Sequence, residues 1–209
     1  MSRCFVVSGT DTDVGKTVFA AALTLALSGV YFKPVQCGLE GETDSECVRR
    51  LTGLPDEHFL PEIYRFSTPV SPHRAAELEG MRIDPARLEL PSVERPLIVE
   101  GAGGLMVPLT RSDLFIDIFM RWQAPLVLCA RTALGTINHT LLSLEALRRR
   151  SIPVAGLVFV GDENADTERT IAEMAGVRAL GRLPMLPLLG AETLAQAFER
   201  HFRIQDFLE

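Results

Sequence analysis

Residues 8–17 read Ser8-Gly9-Thr10-Asp11-Thr12-Asp13-Val14-Gly15-Lys16-Thr17, and this stretch decides how the rest of the chain is read. Its end, Gly15-Lys16-Thr17, matches a phosphate loop of the pattern G-x-x-x-x-G-K-[ST]. The first glycine, however, is one place early: position 10 is Thr10, and the glycine is Gly9. The context is that of a phosphate loop. An apolar run, Cys4-Phe5-Val6-Val7, precedes it, and Val18 to Leu27 follows it, apolar nearly all round like a buried helix. In such a loop Gly15 lets the backbone approach a phosphate, and the first helical amides face the anion. Lys16 would neutralise the β- and γ-phosphates, and the Thr17 hydroxyl would coordinate Mg²⁺. Asp13, Val14, Gly15, Lys16, Thr17 and Val18 are thus the first candidates for nucleotide contact. Asp11 and Asp13 are unexpected there, because carboxylates repel a triphosphate unless a metal or a cationic substrate balances them. They predict an amine near the γ-phosphate.

Working outward, short apolar runs alternate with helical patterns. Val30-Tyr31-Phe32, Leu97-Ile98-Val99, Leu126-Val127-Leu128-Cys129 and Val154 to Val160 join Cys4 to Val7 as expected strands. Ile137 to Arg150 and Ala165 to Ala175 read as helices, with Asp44 to Leu51 and Ser71 to Glu79 as the helices of the polar, proline-rich section 38–96. Fully apolar strands separated by helices predict an α/β fold with a mainly parallel sheet covered on both faces. With no repeat or long linker, residues 1–209 are expected to form one phosphate-loop NTPase domain. Ligands of such folds bind at the carboxyl ends of the strands. The unusual residues fall there: Ser8-Gly9-Thr10, Lys33, Glu100-Gly101 and the segment after Val160.

The charge balance narrows the partners. A net charge of −6 disfavours a general nucleic-acid surface. The one basic run, Arg148-Arg149-Arg150, closes a helical pattern, where cations suit the helix dipole. No run is long and apolar enough for a membrane helix, and no secretory signal opens the chain. Cys4, Cys37, Cys47 and Cys129 form no C-x-x-C pair and match no zinc spacing, so a reduced, cytoplasmic setting is expected. Lys16 and Lys33 are the only lysines, against nineteen arginines. A compact point charge suits a γ-phosphate at close quarters, which makes both candidates for catalysis. Glu100 ends a buried strand at the ligand edge, where a carboxylate is costly unless it meets a metal or a cation.

The loop resembles the G-T-D-T-x-V-G-K-T loop of the dethiobiotin synthetase family, in which the early glycine is normal. Further blocks follow in that family's order. Phe32-Lys33-Pro34-Val35-x-x-Gly38 is similar to its Y-K-P-V-x-[ST]-G, and Thr43-Asp44 to its acidic position. Ser71-Pro72-His73 resembles its S-P-H, and Val99-Glu100-Gly101-Ala102-Gly103-Gly104 its V-E-G-A-G-G. Leu134-Gly135-Thr136-Ile137-Asn138-His139 resembles its L-G-x-I-N-H, and Gly181-Arg182-Leu183-Pro184 its G-x-[IL]-P.

The resemblance implies that the ureido ring of dethiobiotin is closed from 7,8-diaminononanoate, CO2 and ATP, which would explain an acidic loop. It implies Mg²⁺ ligands at Thr17, Asp44 and Glu100, with Lys16 and Lys33 as the catalytic cations. Nucleotide contacts extend to Gly101, Ala102, Gly103, Pro184 and Met185, and the diamine falls to Thr10, Asp11, Asp13, Cys37 and Gly101. Gly135 and Asn138 open a helix whose amides could take the substrate's far carboxylate, across a homodimer; a plain helix cap is the alternative reading. His73 and His139 read as structural, since the chemistry requires no protein base. Three positions depart from the family pattern. Cys37 stands where a hydroxyl is usual, and Asp13 where Glu is commoner. Val160-Gly161 occupies the place of an adenine-reading Asn, with Asn164 a few residues on, so adenine selectivity is expected either to be weak or to be carried by backbone groups near Leu183 to Leu186. Two other readings share the loop style. A cobyrinate diamide type amidoligase usually carries a glutaminase domain, for which 209 residues leave no room. Chromosome-partition or septum-placement switch ATPases carry a signature Lys where this chain has Asp11.

Overall fold

The computed structural model describes residues 3–208. Seven strands form one parallel sheet in the order β4-β2-β6-β1-β7-β8-β9. They are β1 (Cys4–Gly9), β2 (Val30–Phe32), β4 (Phe59–Leu60), β6 (Leu97–Gly104), β7 (Leu126–Arg131), β8 (Val154–Val160) and β9 (Ala179–Leu183). A separate parallel pair joins β3 (Val35–Cys37) to β5 (Tyr64–Phe66). All the expected strands and helices are present, within a few residues at their ends.

Alternation along the strands explains why both faces are covered. Phe5 and Val7 of β1 point to a core shared with α1 (Lys16–Leu27), α2 (Asp44–Thr52) and α7 (Ala191–His201). Val6 points the other way, to a core built with α3 (Pro72–Leu78), α4 (Phe115–Trp122), α5 (Thr136–Arg149) and α6 (Ala165–Ala175). The unbroken apolar character of Val18 to Leu27 has its counterpart in α1, which lies between the sheet and two helices, α2 and α7. Its Ala20, Ala21 and Ala22 are buried, and Phe19 packs on Phe202 and Phe207. Each such fully buried aromatic side chain contributes roughly 2–3 kcal/mol.

The parallel order puts β1 between β6 and β7, with their carboxyl ends together. The register of β1 and β6 is regular up to Val7↔Glu100 and then jumps to Gly9↔Gly104. Two residues of β1 therefore face four of β6, and β6 bulges over Gly101-Ala102-Gly103. Glycine is required at both ends of the bulge. A Cβ on Gly101 would lie 2.8 Å from Phe119, and Gly103 has φ 61°. The G-A-G-G run is thus a bulged end of the strand, not a loop beyond it.

Candidate active site

The loop between β1 and α1 is folded tightly on itself. Gly15 sits at the N-cap of α1 with φ 88°, a conformation open to glycine at little cost. Asp13 also has positive φ, 56°. Short Asp tolerates this left-handed region better than most residues, which gives a backbone reason for Asp at this position. Gly9 has its own steric reason: a Cβ there would come within 2.6 Å of Val14 Cγ2 and 2.9 Å of the Asp11 carbonyl. The early glycine lets the longer loop double back over the strand end. Lys16 Nζ donates to that same Asp11 carbonyl at 2.9 Å. Burial, with Lys33 adding to it, lowers the pKa of Lys16 below the ordinary lysine value.

Beneath the loop lies a buried charge cluster. Glu100 at the bulge of β6 is 1% exposed and Lys33, just past β2, 3%. Lys33 Nζ lies 2.6 Å from Asp44 Oδ2 and 3.1 Å from Glu100 Oε1, and donates to the Gly101 carbonyl at 3.0 Å. The Thr17 hydroxyl reaches Glu100 Oε1 at 2.8 Å and Asp44 Oδ1 at 3.2 Å. Burial by itself would lower Lys33, but the carboxylates of Glu100 and Asp44 outweigh it and hold the ammonium above its usual pKa. Burial would likewise raise Asp44, yet Lys33 and Thr17 hold it down. Transfer of Glu100 into this interior costs several kcal/mol, offset only by such partners.

Asp44 is delivered by the start of α2. Thr43 caps that helix, its side chain accepting from the Glu46 amide while Glu46 accepts from the Thr43 amide at 2.8 Å. The Asp44 amide donates to buried Gln36. Gln36 belongs to the site yet carries no motif that marks it. Arg131 is equally unmarked in the sequence, and Tyr31 nearly so. Tyr31 OH donates to Glu100 Oε2 at 2.8 Å, and Arg131, at the end of β7, lies 3.8 Å from Asp11. The one available signal was Tyr31 itself, a polar-tipped residue inside an apolar strand, whose hydroxyl needs a partner when buried.

Two adjoining cavities meet at this cluster. One of about 330 Å³ is lined by Thr12, Asp13 and Gly15 to Val18 of the loop and helix start, together with Lys33, Asp44 and Glu100. The other, about 460 Å³, runs along Cys37, Gln36, Ser71, Ala102 and Val107. Thr12, Asp13, Lys33, Asp44 and Gly103 border both. Thr10 and Asp11 instead border a third, of about 410 Å³, with Met106 and Leu142.

The remaining candidates lie apart from the cluster. Gly135 and Asn138 are exposed at the start of α5, and Pro184 and exposed Met185 follow β9. Val160 packs against the loop, its Cγ1 2.7 Å from where a Gly15 Cβ would stand. The Gly161 amide donates to the Leu183 carbonyl, and its own carbonyl accepts from Arg182. Cys37 is half-buried, and burial pushes its thiol up to about 11. We expect Cys37→Ser to keep or improve diamine affinity, and the native thiol to react slowly with iodoacetamide near neutral pH, gaining speed only as pH nears 11. Substrate titration and timed alkylation check both; a large loss of affinity in the serine variant would give the thiol a role of its own.

The Thr17, Asp44 and Glu100 oxygens form a hard donor set of the kind Mg²⁺ accepts, with carboxylates few enough to leave places for phosphate oxygens and water. The lysine already seated among them shows that the place accommodates positive charge.

Solved structures that resemble the chain include a ParA family ATPase from Chlorobium tepidum, with TM-score 0.54 and 13% identity over 99% of this chain and 93% of that one. The septum site-determining protein MinD from Pyrococcus horikoshii has TM-score 0.56 and 12% identity, over 94% and 86%. At such identity the likeness is one of fold. A family model described as an AAA domain matches residues 3–193. Among proteins of similar sequence, the ATP-dependent dethiobiotin synthetase BioD of Agrobacterium fabrum is 63% identical over 100% of this chain and 99% of its own. That of Rhodopseudomonas palustris strain TIE-1 is also 63% identical, over 100% and 98%, and that of Brucella anthropi 58%, over 99% and 98%. With identity of this order along the whole chain, and with the early-glycine loop joined to a buried Lys–Asp–Glu cluster, the chain belongs to the ATP-dependent dethiobiotin synthetase family.

Proposed function

We propose that the chain closes the ureido ring of dethiobiotin from 7,8-diaminononanoate and CO2, driven by ATP, as a step of biotin biosynthesis. The observation that carries this is the shared wall between the two cavities. The loop cavity has the amides and Lys16 that a triphosphate needs, and the larger one has the carboxylate of Asp13 for an ammonium group. Lys33 borders both, where a γ-phosphoryl group would pass from one to the other.

The chemistry follows from that layout. One amine of the substrate takes up CO2 as a carbamate, losing a proton. A carbamate oxygen attacks the γ-phosphorus as the bond to ADP breaks, giving a carbamic–phosphoric anhydride. The second amine then attacks the carbonyl carbon, the C–O bond to phosphate breaks, and the ring closes. Phosphoryl transfer mainly needs positioning and charge neutralisation, which Lys16 and Lys33 supply. Thr17, Asp44 and Glu100 would hold Mg²⁺. When bound, that ion neutralises charge on the β- and γ-phosphate oxygens. The glycines of the β6 bulge let the carbamate approach the backbone closely.

A homodimer completes the reading, with Gly135 and Asn138 presented to the second subunit's diamine. It is supported by exposed Leu134, Leu142 and Met106 around the start and outer face of α5, beside the cavity that holds Thr10 and Asp11. Among the described residues no helix is long and apolar enough to cross a membrane, and all four cysteines are free, in keeping with a cytoplasmic enzyme. ATP hydrolysis tests the whole proposal. Turnover should need the diamine and bicarbonate together, with ATP alone giving a small fraction of that rate. Vigorous hydrolysis stimulated by DNA or by lipid vesicles would instead favour a partner-regulated switch of the kind whose fold this chain shares.

A further inference from the structure

We infer that Tyr31 is a positioning residue that fixes the orientation of Glu100, so that one defined carboxylate oxygen is presented at the metal position. The inference rests on the reading of Thr17, Asp44 and Glu100 as metal ligands. The two oxygens of Glu100 have different partners. Oε1 receives Thr17 at 2.8 Å and Lys33 at 3.1 Å, on the loop side. Oε2 receives only Tyr31, at 2.8 Å, among the described residues.

Tyr31 is wholly buried, in the apolar core that includes Val48, Leu51, Phe59 and Ile98. A phenyl ring would fill that volume as well, so packing does not account for the hydroxyl; Glu100 does. The terminal torsion of a glutamate is broad and roughly two-fold, and does not by itself select an orientation. A donor on each oxygen does select one. Without the phenol, Oε2 would face apolar side chains unpaired, and the carboxylate would turn to bring both oxygens toward Lys33. That turn would strengthen the Lys33 pair at the expense of the oxygen now shared with Thr17. Partners of this outer kind are commonly worth 10–100-fold in metal affinity.

The test uses Mn²⁺ as the probe, titrated into the protein with a non-hydrolysable ATP analogue and followed by the paramagnetic resonance of free Mn²⁺. Tyr31→Phe should bind Mn²⁺ about tenfold more weakly than the parent. Phe59→Leu, a change in the same core that does not touch Glu100, should retain parental affinity whatever its thermal midpoint. Affinity of Tyr31→Phe within twofold of the parent would overturn the inference, as would an equal loss in Phe59→Leu. The double variant Tyr31→Phe/Glu100→Gln leaves no unpaired buried charge, which keeps the question open to test should Tyr31→Phe fold poorly. It should match Glu100→Gln alone, and a further loss would show that Tyr31 acts by another route. Absence of analogue-dependent Mn²⁺ binding in the parent would remove the metal reading itself; the variants' results separate that failure from failure of the Tyr31 role alone.

Discussion

Replacing Lys33 by Ala should lower turnover by about 10²–10³-fold, the usual cost of removing one preorganised charge from a transition state. The side chain lies between two carboxylates and one carbonyl at 3% exposure, and a water entering its space would bring no positive charge. Stability should fall as well. Leaving Glu100 buried beside Asp44 without a cation costs about 3–5 kcal/mol, so the thermal midpoint should drop by several degrees. Added Mg²⁺ should recover part of that stability, because the same oxygens would hold it, but not the turnover. Lys33→Arg should not rescue activity: the planar guanidinium is larger than the ammonium and cannot occupy the same point between the carboxylates. The decisive measurement is the steady-state rate with diamine, bicarbonate and ATP. A rate near that of the parent would remove Lys33 from the chemistry.

Gly9→Ala is the second large effect, and it acts through shape alone. The added methyl would meet Val14 Cγ2 at 2.6 Å, the Asp11 carbonyl at 2.9 Å and Lys16 Cδ at 3.1 Å. Two of these belong to the loop, and one is main chain that cannot step aside as a side-chain tip does. Overpacking of this kind costs roughly 1–3 kcal/mol. The strain falls on the segment that shapes the phosphate site, so nucleotide affinity should weaken by about 10–100-fold. Binding of a fluorescent ATP analogue reads this directly. Unchanged affinity would mean that the loop shifts easily, and that the early glycine is not what lets it double back. Thr10→Gly, which restores a glycine at the usual spacing, should not compensate in the Gly9→Ala background, because the collision is at residue 9.

The phosphate loop, the α/β class and most of the cluster were legible from local features. Apolar strands and an apolar helix on either side of G-K-T leave few other folds, and a carboxylate at the end of a buried strand predicts its own cation. The elements outside the expected set, the two-residue edge strand β4, α4, α7, β9 and the small β3–β5 sheet, have weaker patterns. α7 is amphipathic at the chain's polar end, and β9 is an edge strand interrupted by Gly181-Arg182. Neither stands out from its neighbours without the surface it packs on.

The sequence by itself determined the kind of site: a triphosphate loop of the early-glycine type, two isolated lysines, and a carboxylate where none is free of cost. Each of these follows from residue identity and near neighbours. Only the tertiary structure decided how they act together. It placed Lys33, Asp44 and Glu100, separated by up to 67 residues, within 3.1 Å of a common ammonium. It bulged β6 by two residues so that Gly101 could offer its carbonyl, and it gave the Tyr31 hydroxyl a carboxylate partner 69 residues away. The reason is physical. Local sequence sets backbone preference and burial, whereas the partners of a buried charge depend on which strands lie side by side, and that is settled by the parallel order of the whole sheet.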